Sequence, residues 1–217
     1  MAGRPAYLLF DLDETLYPSS CGLMQELSVR MTAFVTEFLG VGENEATRIR
    51  RHLRLKYGTT LTGLMREYGL AVAEQYLAYT HDVPLERFLA KDPQLAAALA
   101  SLRLPKSVLT NSPREHAERV LDRLGVREEF EHIFDLRFNE LAGKPDAAVY
   151  TRVLAVLARP APEVLLIDNH LDYLEPFLAL GGQVLLINEP GCALQELPPG
   201  VPCLRDIKEL PAFLAAG

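Results

Sequence analysis

The apolar residues of this chain recur with two different periods, and the change from one to the other lays out its elements. Residues 6–10 form a continuous apolar run that reads as a buried strand. From Pro18 to about Asp92 the spacing becomes three and four residues. Met24, Leu27, Met31, Phe34, Val35 and Phe38 define one helix, stopped by Gly40. A second is expected over 44–57, capped by Asn44. There Ile49, Leu53 and Tyr57 keep the period, and Arg48, Arg50, Arg51, Arg54 and Lys56 surround them as a solvated face. Gly58-Thr59-Thr60 breaks the pattern, and shorter helices are expected over 61–68 and 72–79. No strand is expected in this stretch.

From Asp92 onward short apolar runs alternate with helical stretches, the pattern of a parallel sheet with crossover helices. Helices are expected over 93–102, 113–124, 146–157 and 171–180, and strands over 107–110, 133–136, 164–168 and 184–187. Ile207, Leu210 and Leu214 mark a closing helix. The fold class is therefore α/β, with a helical unit of residues 18–92 inserted after the first strand.

Composition narrows what such a chain does. Its 217 residues, 49% apolar and 24% charged, suit one domain carrying an insertion. A formal charge of -7 repels polyphosphate backbones, and no Lys and Arg cluster interleaves with aromatics, so no nucleic acid partner is expected. Cys21, Cys192 and Cys203 are odd in number and lack the paired spacing of a zinc site, which fits reduced thiols in a cytoplasm. The first apolar run meets Asp11 too early for a signal peptide, and nowhere do 18 apolar residues follow one another. A cytoplasmic protein with no membrane partner is expected.

The candidate chemistry gathers at the strand ends, where ligands bind in open parallel sheets. Phe10-Asp11-Leu12-Asp13-Glu14-Thr15-Leu16 closes the first strand. If the strand continues through Leu12, Asp11 and Asp13 face one side, and a cation site doing carboxylate chemistry justifies burying both. Thr110 and Asn111 follow the second strand, Lys144 lies in a loop before a helix, and Asp168 closes the strand over 164–168. Taken singly these are a helix cap, a solvated lysine and a turn acid. Together they make a nucleophile, an acid, a hydroxyl ligand, a cation and a metal ligand in strand order.

Four motifs resemble those of the haloacid dehalogenase-like superfamily in its phosphatase branch, over nearly the whole chain. They are Asp11-Leu12-Asp13-Glu14-Thr15, Val108-Leu109-Thr110-Asn111-Ser112, Gly143-Lys144-Pro145, and Leu166-Ile167-Asp168-Asn169-His170-Leu171-Asp172. Within the superfamily, Thr15-Leu16-Tyr17-Pro18 and Tyr57-Gly58-Thr59-Thr60-Leu61 look like the pyrimidine 5'-nucleotidase-like group. The resemblance implies a Rossmann-like catalytic core of residues 1–17 and 93–217 with a helical cap over 18–92. It also implies Mg²⁺-dependent hydrolysis of a small phosphorylated metabolite, with a pyrimidine nucleoside monophosphate the first substrate to try.

In that scheme Asp11 is the nucleophile that forms an aspartyl-phosphate. Asp13 is the acid and base, its pKa raised by the neighbouring carboxylate. Thr110, Asn111 and Lys144 hold the phosphoryl group. Asp11, Asp13 through its carbonyl, and Asp168 hold Mg²⁺, a hard cation suited to oxygen ligands. Asn169 stands where a second acid is often found, and Asp172 is the expected substitute. A sugar-phosphate phosphatase or phosphomutase shares the same motifs. A carbon-halogen hydrolase needs neither Asp13 nor Asp168, and a regulatory module need not retain all five residues. His81 is expected as a structural or surface histidine rather than one facing the substrate; Thr59 and Thr60 sit at a break between helices where a cap loop could enter the site, and Tyr17 is either a hinge packing residue or a wall against base or sugar.

Overall fold

The computed structural model describes residues 3–71, 73–189, 198 and 200–216, so Cys192 and Val72 lie outside the described residues. Strand β1 (Tyr7–Phe10) is buried at every position and lies inside a parallel six-stranded sheet. The others are β2 (Lys106–Leu109), β3 (Ile133–Phe134), β4 (Val164–Asp168), β5 (Gln183–Ile187) and β6 (Cys203–Leu204). Their order is β3-β2-β1-β4-β5-β6, all pairs parallel. The chain runs outward from β1 to β2 and β3, then returns to the other side of β1 with β4. The crevice between β1 and β4 is thus the switch point at which such sheets bind ligands.

Four helices separate β1 from β2 before the crossover helix: α1 (Leu23–Leu39), α2 (Glu43–Tyr57), α3 (Thr60–Tyr68) and α4 (Ala73–His81). The sheet is flanked by α5 (Pro93–Ser101), α6 (Arg114–Leu124), α7 (Ala147–Leu157), α8 (Leu171–Ala179) and α9 (Leu210–Ala216). Apolar side chains cover both faces of β1. Leu8 and Phe10 join one cluster with Val120 and Leu121 of α6, and Tyr7 and Leu9 join another with Val149 and Tyr150 of α7. Such two-sided burial is why the strands read as unbroken apolar runs. A third cluster is built mainly from the insertion, around Val35, Leu53, Leu64 and Tyr76, with Leu136 joining it from beyond β3. Leu23 and Leu27, at the start of α1, belong instead to the core under β1.

Several boundaries differ from the sequence reading. Asn44 lies inside the first turn of α2, and Gly42 occupies the cap position without a side-chain bond. The strand β3 ends at Phe134, because Asp135 turns to accept from the backbone N–H of Arg114 and of Phe138. The tail begins as a 3-10 turn, Ile207–Glu209, with the Asp206 carboxylate on the Lys208 N–H, before α9 starts. Strand β6 has no signature of its own, being two half-buried residues that pair with β5.

Helices α2 and α3 touch where Gly63 faces Leu53, and a Cβ built on Gly63 falls 2.6 Å from the Leu53 Cβ. Overpacking at such a contact costs about 1–3 kcal/mol. Gly63→Ala should lower the urea-unfolding free energy by about that much, while Gly3→Ala, which meets nothing within 4 Å, should leave it within about 0.5 kcal/mol. Equal stability of the two variants would show that α2 and α3 are not held at this distance.

Candidate active site

The strand β1 does not continue through Leu12. Asp11 donates its N–H to the Ile167 carbonyl at 2.8 Å, and the chain then makes one tight turn, with the Thr15 and Leu16 N–H groups on the Leu12 carbonyl. Glu14 takes a left-handed φ of 60° in this turn. Leu12 is fully buried and points away, so Asp11 and Asp13 reach the same cavity by turn geometry rather than by strand alternation.

Lys144 is completely buried and bonds both strand-end acids, Asp11 Oδ1 at 2.7 Å and Asp168 Oδ2 at 2.6 Å. One ammonium thus faces two carboxylates, of which Asp168 is wholly buried. Burial pushes the Lys144 ammonium toward neutrality, but Asp11 and Asp168 outweigh it and hold the charge. Asp168 is pushed up to about 7 by burial and by Asp11, against the pull of Lys144. The cluster therefore carries one more acid than it can neutralise. The loop around the lysine is fixed by Asn111, whose amide donates to the Lys144 carbonyl at 3.0 Å and whose carbonyl oxygen accepts the Lys144 N–H at 2.7 Å. Thr110 is buried, and its hydroxyl oxygen accepts the Ser112 N–H at 3.0 Å. Thr15 donates to Asp11 Oδ2 at 3.0 Å.

Asp13 sits in a cage of three donors. Tyr17 Oη lies 2.7 Å and His116 Nε2 2.9 Å from Oδ1, and Ser112 Oγ lies 2.6 Å from Oδ2. Burial alone would raise its pKa, but His116, Ser112 and Tyr17 reverse that and hold the carboxyl well below the usual range. The upward shift expected from the adjacent Asp11 is therefore corrected: donors that stabilise the charged form win. Burial and Asp13 push the Tyr17 phenol well up, so it stays a donor. His116 was not singled out in the sequence, where it is one polar residue of a helix with no motif. Only its place three residues after Pro113, in the first turn of the helix following Thr110, marks it.

The cavity above these groups has a volume of about 360 Å³. Its floor is Asp11, Asp13, Thr110, Asn111 and Lys144, and its walls include Met24, Ser28 and Met31 of α1, Arg50 and Arg54 of α2, and Tyr76 of α4. The expected solvated face of α2 is thus corrected at Arg50, which is half-buried at the cavity, whereas Arg54 borders the cavity and stays exposed. Gly58 and Gly143 permit the close approach of the insertion to the lysine loop. A Cβ on Gly143 would fall 2.4 Å from Thr59 Cγ2, and one on Gly58 3.0 Å from the Lys144 carbonyl oxygen. Thr59 is a cap, accepting from the Thr62 N–H, and Thr60 is buried at the wall.

Asn169 lines the cavity and lies beside Thr15, with Oδ1 3.5 Å from the hydroxyl. Asp172 is exposed in the first turn of α8 and is absent from the lining, so the structure does not bring it together with the other candidates. Among the described residues no three His, Cys, Asp or Glu side chains form a metal-holding group. The carboxylate oxygens of Asp11 and Asp168 are nonetheless of the kind a hard divalent cation takes.

The parallel α/β sheet thus brings an acid, a lysine and a second acid together at its switch point. Residues 6–179 match the haloacid dehalogenase-like hydrolase family, and the chain belongs to it. The relative phosphate metabolism protein 8 of Saccharomyces cerevisiae is 28% identical over 150 residues, which are 63% of this chain and 47% of that protein. The chain thus spans about half the length of that relative. Among solved structures, a HAD phosphatase from Thermococcus onnurineus has a TM-score of 0.64 at 18% identity, covering 96% of this chain and 97% of its own. L-2-haloacid dehalogenase from Xanthobacter autotrophicus has a TM-score of 0.59 at 18% identity, covering 98% and 99%. At such identities the structures share the fold alone. No helix among the described residues is long and apolar enough to cross a membrane.

His81 is buried at the end of α4, with Nδ1 donating to the Leu77 carbonyl at 3.0 Å and its ring edge-on to His116 at 5.0 Å. Burial, then His116, pushes it down from 6.5 to about 4. Below 6.5 the unfolded chain binds a proton that the folded protein refuses until about 4, so acidification through this window favours unfolding, by up to roughly 3 kcal/mol. Urea unfolding at about pH 7 and about pH 5 should therefore show a larger acid loss in the native protein than in His81→Gln. Parallel losses would remove His81 as the titrating group.

Proposed function

We propose that the protein is a Mg²⁺-dependent phosphomonoester hydrolase that works through an aspartyl-phosphate on a small phosphorylated metabolite. The observation that carries this reading is the pair of carboxylates with unlike surroundings in one cavity: Asp11 against a buried ammonium, Asp13 inside three donors. A carbon-halogen hydrolase has no use for a second acid so closely held. In this reading residues 18–92 form the cap and the remainder the catalytic core.

Asp11 Oδ attacks phosphorus, the phosphorus–oxygen ester bond breaks, and the leaving oxygen takes a proton from Asp13. Free Asp13 is held as a carboxylate, so it takes up a proton from solvent as the substrate binds, because a phosphoryl dianion beside it is a like charge that raises its pKa. In the second half Asp13 takes a proton from the water that attacks the acyl-phosphate, and Asp11 is regenerated. Lys144, the Thr110 hydroxyl and nearby backbone N–H groups hold the phosphoryl oxygens, with Asn111 fixing the lysine loop. Mg²⁺ would be held by Asp11, the Asp13 carbonyl and Asp168, and supplies charge that offsets repulsion between the nucleophile and the phosphate. Asn169 at the cavity wall is better placed than exposed Asp172 to support its shell.

Hydrolysis of p-nitrophenyl phosphate should require added Mg²⁺ and vanish with EDTA. Asp11→Asn should reduce turnover by roughly a thousandfold or more with an unchanged fold by circular dichroism. Substantial residual turnover in pure Asp11→Asn protein would sink the covalent role. In a Mg²⁺ titration of the rate, Asp168→Ala should move the midpoint strongly, Asn169→Ala moderately and Asp172→Ala least. A larger shift for Asp172→Ala than for Asn169→Ala would return Asp172 to the metal shell. A panel of nucleoside monophosphates, pyrimidine first, and sugar phosphates then separates nucleotidase from sugar phosphatase.

A further inference from the structure

Arg50 is held at the cavity wall entirely by uncharged groups. Its Nη1 donates to the Ser28 carbonyl at 2.6 Å, to Ser28 Oγ at 3.0 Å and to Thr32 Oγ1 at 2.5 Å, and its Nη2 approaches Met31 Sδ at 3.3 Å. Its Nε is buried with no partner. No acidic side chain pairs with Arg50 or with neighbouring Arg54 among the described residues, although three other cationic residues of the insertion, Arg30, Arg48 and Lys56, have acidic partners, and Arg137 of the core pairs with Glu74. A half-buried guanidinium oriented by dipoles but lacking a counter-charge is costly to maintain. The cavity is where a counter-charge can enter, and both arginines line it opposite a floor built for phosphate.

We propose that Arg50, supported by Arg54 one turn further along α2, is a specificity-determining residue that binds a second anionic group on the leaving-group side of the substrate. The substrate class is then a phosphomonoester whose alcohol part carries a carboxylate or another phosphate, in preference to a neutral sugar or nucleoside. Nη1 is taken by Ser28 and Thr32 and Nε is buried, so either anion meets Nη2 in a charge-assisted contact that Arg54 reinforces. The inference rests on the hydrolase reading for the position of the phosphoryl group, and on the unpaired Arg50 for the second anion. A cavity of about 360 Å³ admits a small metabolite of this kind.

Two matched pairs test it: phosphoglycerate against glycerol phosphate, and phosphogluconate against sorbitol phosphate, each differing by one carboxylate. The kcat/KM of the native enzyme should favour the acid in at least one pair by about tenfold to a hundredfold, as expected for a charge-assisted contact. Arg50→Gln should remove that preference mainly through KM, and Arg50→Lys, which keeps the charge, should retain part of it. Calorimetric binding of the same pairs to Asp11→Asn protein, with and without Arg50→Gln, supplies a readout independent of turnover. A binding preference that depends on Arg50, in a protein that hydrolyses neither these esters nor p-nitrophenyl phosphate with Mg²⁺, would overturn the phosphomonoesterase reading and support the role of Arg50. Absence of preference in both pairs, or a preference that survives Arg50→Gln, overturns the proposal even where hydrolysis is efficient.

Discussion

Lys144 between Asp11 and Asp168 is the interaction on which the rest of the structure depends. At about 2.7 Å, one such contact is worth roughly 6 kcal/mol of attraction in an effective dielectric near 20, against a desolvation cost of several kcal/mol for each ion. The arrangement holds only if every partner is fixed before the ligand arrives. Asp11 and Asp168 are fixed because β1 and β4 are neighbours, with Phe10 beside Ile167 and the Asp11 N–H on the Ile167 carbonyl. The lysine reaches them from a loop whose backbone is locked by Asn111. The sheet order places the acids side by side, and the acids require the lysine.

That requirement extends to the helical insertion. Gly58 and Gly143 lie where α2 ends and the lysine loop begins, and both lack the side chain that would hold the two segments apart. Thr62 donates to the Leu141 carbonyl at 2.6 Å, and Arg137 makes paired contacts to Glu74 of α4. Leu136 joins the apolar cluster of the insertion, and Leu23 and Leu27 of α1 join that of the sheet. The insertion and the sheet therefore exchange apolar side chains on either side of the cavity. Its polar floor comes from strand ends and its mixed walls from helices, so the two parts of a ligand meet different elements.

What was legible in the sequence follows from how local each signal is. The strands were legible because both sheet faces are covered, which leaves runs such as residues 164–167 without a polar interruption. Asp11, Thr110 and Asp168 were legible as polar residues closing such runs, and Lys144 through the motif Gly143-Lys144-Pro145 in the loop before a helix. The surroundings of Asp13 were not, because His116 and Ser112 reach it across about a hundred residues, and a donor count cannot be read from neighbours in sequence. The two-residue period also misled: the strand ends at Phe10, and a tight turn, not alternation, brings Asp13 to the cavity. Asp172 and Asn169 were ranked by charge, whereas the start of α8 turns the first outward and leaves the second at the wall. The arginines of α2 were read as one solvated face because helical period alone does not reveal a concave neighbour.

The two carboxylates at the floor show why such neighbours need different surroundings. Two identical acids in one cavity would share a proton and leave their roles undefined. Here Asp11 is paired with a full charge on one oxygen and a hydroxyl on the other. Asp13 has two hydroxyls and an imidazole, which orient its oxygens and favour its anion while leaving it free of any direct lysine contact. A nucleophile must keep its charge while its orbital faces the substrate, and a fixed ammonium accomplishes that. A proton carrier must change charge twice in a cycle, and hydroxyl donors can follow each change by rotating, whereas a fixed ammonium cannot. In the proposed reaction, the division of labour between Asp11 and Asp13 would then lie in the mobility of their partners, a buried lysine on one side of the turn and the hydroxyls of Tyr17 and Ser112 on the other.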